Sequence, residues 1–68
     1  MNEEVLNTTL RKFLKKVGIT AQREIEKAVR DGVENGTLKG SESLRAKATI
    51  SVSGINLTFD VDGTIELA

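Results

Sequence analysis

The hydrophobic period of this chain changes once. Up to Gly36 apolar residues return every three or four positions; from Leu44 they return every second one. The first pattern belongs to helices with one apolar face, the second to strands with one apolar face. A chain of 68 residues has room for one domain, residues 1–68, built from these parts. The expected class is α+β, ordered ααββ: a two-helix corner packed on one face of an antiparallel β-hairpin.

The strands carry the sharper expectation. Leu44, Ala46, Ala48, Ile50 and Val52 alternate with Arg45, Lys47, Thr49 and Ser51. Past Ser53-Gly54, Ile55, Leu57, Phe59 and Val61 alternate with Asn56, Thr58, Asp60 and Asp62. A two-residue turn at Ser53-Gly54 predicts Val52 opposite Ile55, Ile50 opposite Leu57, Ala48 opposite Phe59, Ala46 opposite Val61 and Leu44 opposite Gly63. On the other face Lys47 meets Asp60, Arg45 meets Asp62 and Thr49 meets Thr58. A slip of one residue would turn over both sets. In this register Thr64, Ile65, Glu66 and Leu67 run past the first strand without a partner. An open edge with an unpaired tail invites a second copy of the chain, so these four residues are the expected self-association site of a homodimer.

Helix one is expected over residues 3–17. Asn2 is its N-cap, Glu3 and Glu4 meet the positive end of the dipole, and Gly18 is the residue after its end. Leu6, Leu10, Phe13, Leu14 and Val17 share a stripe, with Val5 off it. Helix two is expected over residues 21–35, with Thr20 as N-cap, Gly36 after its end, and Ala21, Ile25, Ala28, Val29 and Val33 on its inner face. Gly18-Ile19-Thr20 forms the corner. Residues 36–43 read as a loop, with Leu38 turned inward.

Composition narrows the chemistry. There is no Cys, His, Tyr or Trp, and no Pro. Disulfides, imidazole bases, thiol nucleophiles and tetrahedral zinc lose their ligands. No cofactor is expected, no metal site and no enzyme. Asp60 and Asp62 point the same way on a strand, but Lys47 and Arg45 are placed to neutralise them. Gly32, Gly36 and Gly40 recur without the order of Gly, Lys and Ser/Thr that cradles phosphate, and read as packing and turn residues. Met1-Asn2-Glu3-Glu4 has no apolar run behind it, and no stretch is long and apolar enough to span a bilayer. A cytoplasmic protein without membrane attachment is expected.

Ten basic and ten acidic side chains balance. They are unevenly placed: Arg11, Lys12, Lys15 and Lys16 form a compact basic face on helix one. That face could hold a polyanion. The weightier reading is a solvated face that also complements the helix dipole. A winged helix-turn-helix is disfavoured because its reading helix would turn Glu24, Glu26, Asp31 and Glu34 toward phosphates. Both aromatics, Phe13 and Phe59, read as core, which leaves none to stack on bases. Nucleic acid is thus a disfavoured partner, and an unidentified protein or a second copy a favoured one.

The run Asn2-Glu3-Glu4-Val5, then 10–20 (LRKFLKKVGIT), 22–30 (QREIEKAVR) and Gly36-Thr37-Leu38-Lys39-Gly40, resembles a family of short bacterial proteins of unknown function. The resemblance extends through the closing strands. It implies a small stand-alone bacterial protein and carries over no site residue. The function expected from the sequence is that of a non-catalytic small interaction protein, self-associating through its C-terminal strand; the alternative is weak nucleic-acid or polyanion binding through helix one.

Overall fold

The computed structural model describes residues 1–68 as one helix and one hairpin: α1 (Glu3–Glu34), β1 (Ser43–Val52) and β2 (Leu57–Glu66). Two compact units result, Met1–Thr37 and Leu38–Ala68.

The first unit corrects the two-helix corner. Residues 3–34 form a single α-helix of 32 residues that runs through Gly18-Ile19-Thr20 without a break. At 1.5 Å per residue it is about 48 Å long. The reason lies in the phase of the apolar positions. Leu6, Val17 and Ala28 are spaced eleven apart; so are Leu10, Ala21 and Gly32, and so are Leu14 and Ile25. Eleven residues make three helical turns at about 3.67 residues per turn. The stripe before Gly18 therefore continues through Ala21, Ile25 and Ala28 on one face of a straight helix, while Val29 and Val33 turn toward the azimuth of Arg11 and Lys15. With no Pro in the chain, Gly18 costs only about 1 kcal/mol against Ala, too little to end the helix.

Both ends follow from capping. The Asn2 side-chain oxygen accepts from the backbone N–H of Glu4 at 3.0 Å and of Val5 at 3.2 Å. Glu3 and Glu4 occupy the first turn, at the positive end of the dipole. At the far end the Asn35 N–H donates to the Asp31 carbonyl at 2.9 Å. Gly36 then takes a φ of +84°, the left-handed conformation that a residue with Cβ adopts at a cost. The Asn35 side-chain oxygen accepts from the Thr37 N–H at 3.0 Å and from its hydroxyl at 2.6 Å, closing the unit.

The second unit is an antiparallel hairpin in which the expected faces hold and the expected register does not. Val52 pairs with Leu57, Ile50 with Phe59, Ala48 with Val61, Ala46 with Gly63 and Leu44 with Ile65. Every pairing is displaced by two residues from the two-residue-turn register. The connection is the four-residue loop Ser53-Gly54-Ile55-Asn56, with Gly54 at φ +90° and Asn56 at φ +52°. Asn is among the few non-glycine residues that enter this region readily. A displacement of two leaves each side chain on its expected face, since the strand period is two. On the polar face the Thr49 hydroxyl donates to Asp60 at 2.7 Å, and the Ser43 hydroxyl donates to Glu66 at 2.9 Å.

The same displacement corrects the unpaired tail. Thr64 lies opposite Arg45, Ile65 opposite Leu44 and Glu66 opposite Ser43. The Leu67 N–H donates to the Glu42 carbonyl at 3.0 Å. The expectation that these four residues lack a partner within the chain therefore does not hold.

Candidate interaction surfaces

Neither unit contains a core of its own. A single helix has no second layer against which to bury its stripe, and a two-stranded sheet has none for its apolar face. No apolar side chain of the chain is buried. On α1, Leu10 and Phe13 are each 47% exposed and Leu14 52%. On the hairpin, Leu57, Phe59 and Val61 stand exposed on one face with Val52. Scattered exposed apolar residues are ordinary; a continuous row of them along an element marks an interaction surface.

The basic group lies elsewhere on α1. At about 100° per residue, Arg11, Lys12, Lys15 and Lys16 cover an arc opposite the apolar stripe. All four are exposed. The chain's one ion pair joins Arg30 to Glu26 at 3.0 Å, so none of the four has a carboxylate within ion-pair distance. Their expected role at the negative end of a helix needs correction. They sit in the first half of a continuous helix whose last turn holds no basic residue. The dipole account of this cluster is thereby removed, because the effect is confined to terminal turns.

On the hairpin, Asp62 stands opposite Lys47 in the register, whereas Asp60 is met by Thr49 rather than by Lys47. No three carboxylates come together in a group able to hold a metal ion. A shallow hollow on the sheet is bordered by Arg45, Ala46, Asp62, Gly63 and Thr64, and it opens to solvent. Gly63 stands across from Ala46 there, which leaves the narrowest side-chain layer of the apolar face at this point.

One polar constellation went unmarked in the sequence. The carboxylate of Glu42 gathers the backbone N–H groups of Lys39, Gly40 and Ser41 at 2.8, 2.9 and 3.1 Å. These bonds, that from Lys39 foremost, hold its carboxyl below the usual glutamate range. The positive φ of Gly40, +93°, turns the chain so that successive N–H groups converge. A Glu two residues after a loop Gly was the signal available for it. The arrangement fastens the entry to β1, and all three donors are spent on the protein's own side chain.

No helix is long and apolar enough to cross a membrane. No curated protein and no solved structure matches the chain. One family model does, over residues 1–68, and the protein belongs to that family, described as a family of unknown function (DUF6494).

Proposed function

We propose that this chain is a non-catalytic interaction protein whose working form is a self-assembly of its own copies. The observation that carries the reading is the exposed apolar stripe of α1, continuous from Leu6 to Ala28, together with the exposed apolar face of the hairpin. Small domains without disulfides or metals depend on packing or association for stability. This chain has no Cys to cross-link. An isolated two-stranded hairpin is marginal in water, and most helix stability comes from packing an apolar face. Zero net charge removes long-range repulsion between copies.

Sedimentation equilibrium over a wide concentration range tests this directly. The expected mass is a multiple of 7.4 kDa that falls as the protein is diluted. A cooperatively folded species of 7.4 kDa at every concentration overturns the proposal.

One observation supports a second reading, polyanion binding. Arg11, Lys12, Lys15 and Lys16 are exposed and unpaired, and they point away from the stripe that assembly would cover. Four phosphate contacts would weaken binding by about 10²-fold between 50 and 200 mM salt. Fluorescence anisotropy with mixed-sequence single- and double-stranded oligonucleotides reads this. Absence of binding at 20 mM salt sinks it.

A further inference from the structure

Resting on the self-association proposed above, we propose that α1 pairs with α1 of a second copy in antiparallel orientation, about a two-fold axis near Ile19. The stripe itself dictates this geometry. The columns Leu6/Val17/Ala28, Leu10/Ala21/Gly32 and Leu14/Ile25 repeat at eleven residues. Such a repeat keeps the seam facing a partner along a nearly straight helix, with any supercoil right-handed.

The bulk along the stripe is unequal. Its first half holds Leu6, Leu10, Phe13 and Leu14; its second half is dominated by Ala21, Ala28 and Gly32. The spacing between paired helices depends on the side chains at the contact, over about 8–10 Å. A parallel pair would set Leu and Phe against Leu and Phe at one end, and Ala against Ala at the other. The two axes could not stay equidistant. An antiparallel pair sets large against small along the centre of the seam. Leu10 faces Ala28 of the second copy, Val17 faces Ala21, and Leu14 faces Ile25 along one flank. Gly32 is already buried within its own chain, so a Leu6–Gly32 layer is not counted.

Charge favours the same orientation. Residues 3–18 carry four basic and two acidic groups, 4 − 2 = +2. Residues 19–34 carry three basic and four acidic, 3 − 4 = −1. Antiparallel pairing brings unlike halves together; parallel pairing brings like halves together. Glu24 is a charged residue in the middle of the seam, eleven places after Phe13. In a parallel pair it would meet its own copy. In the antiparallel pair Lys16 of the second copy reaches it along the flank.

The absence of native Cys makes single-cysteine labelling unambiguous. Spin labels at Lys12→Cys, Arg23→Cys and Arg30→Cys lie off the seam, and double electron–electron resonance reads the distance between copies. With the axis at residue 19, axial separations are about 12 Å for position 23, about 21 Å for position 12 and about 33 Å for position 30. The expected order of distances is thus 23, then 12, then 30. Three equal distances mean a parallel pair and overturn the inference. A multiple mass by sedimentation with any other order excludes an antiparallel pair centred near Ile19. That also overturns it, while self-association stands. A mass of 7.4 kDa for all three labelled chains and the parent overturns both readings.

Discussion

Replacing Gly18 by Ala should stabilise the protein. Gly18 lies in the interior of α1 with helical backbone, and a Cβ built on it meets nothing within 4 Å. The added methyl therefore neither clashes nor fills a cavity. What changes is the backbone: Gly in a helix interior is about 0.8–1.0 kcal/mol less favourable than Ala. Much of that arises in the unfolded chain, where Gly has more freedom to lose. For a domain of this size, 1 kcal/mol moves the thermal midpoint by roughly 4–8 °C.

The substitution has the opposite sign if the chain turns at this point. A glycine closing one helix before another sits in the left-handed region, where Ala costs about 1–2 kcal/mol. Thermal melting by far-UV circular dichroism separates the two by the sign of the shift. Both proteins must be melted at the same concentration, because association makes the midpoint concentration-dependent. A lower midpoint for Gly18→Ala would refute the continuous helix, and with it the eleven-residue seam.

Asn2→Ala removes the acceptor for the Glu4 and Val5 N–H groups and should cost about 1 kcal/mol; amide exchange should accelerate first at residues 4–5, and unchanged protection there would count against the cap. Asn56→Ala places a Cβ at φ +52° without the polar side chain that eases this region, so the hairpin should lose about 1 kcal/mol, with Asn56→Gly largely restoring it; chemical denaturation of both variants reads the difference. Glu42→Gln should lower stability near neutral pH. Because the Glu42 carboxyl is held below its ordinary range, its contribution is full above the unfolded value of about 4.3 and disappears as pH falls through the lowered folded value. The gap between parent and variant should therefore close under acid, and a gap independent of pH would remove Glu42's charge from the account.

The two outer ends of α1 were legible because each rests on a local hydrogen bond. Asn2 and the pair Asn35-Gly36 do in the structure what their residue types announce. The corner was misread because Gly18-Ile19-Thr20 carries both a helix stop and a helix start, each sound in isolation. Local signals cannot say whether the stripes before and after them are in phase. The spacing of eleven from Val17 back to Leu6 and forward to Ala28 answers that, and it needs a window longer than either half. The hairpin failed in a different way. Alternation fixes which face a residue takes, yet it is blind to a slide of two. Ser53-Gly54 supports either a two-residue turn or the first half of a four-residue one. Only Asn56, suited to positive φ just before Leu57, distinguishes them.

That slide of two also removes the overhanging tail as the motive for self-association, and the proposed self-association rests on the helix instead. With Thr64, Ile65 and Glu66 paired to β1, the tail is no overhang, and only the outer edge of β2 stays open. What a second copy can cover is the long stripe of α1. Under the proposed pairing, folding is tied to assembly: the apolar surface that covers α1 would come from another molecule, and the folded fraction would follow protein concentration by mass action. The Gly18→Ala variant separates the two contributions. It adds helix propensity without adding contact area, so it should raise the midpoint at every concentration and leave its slope with concentration unchanged. A seam substitution such as Leu10→Ala should instead lower the midpoint, and should do so most in dilute solution, where association is weakest.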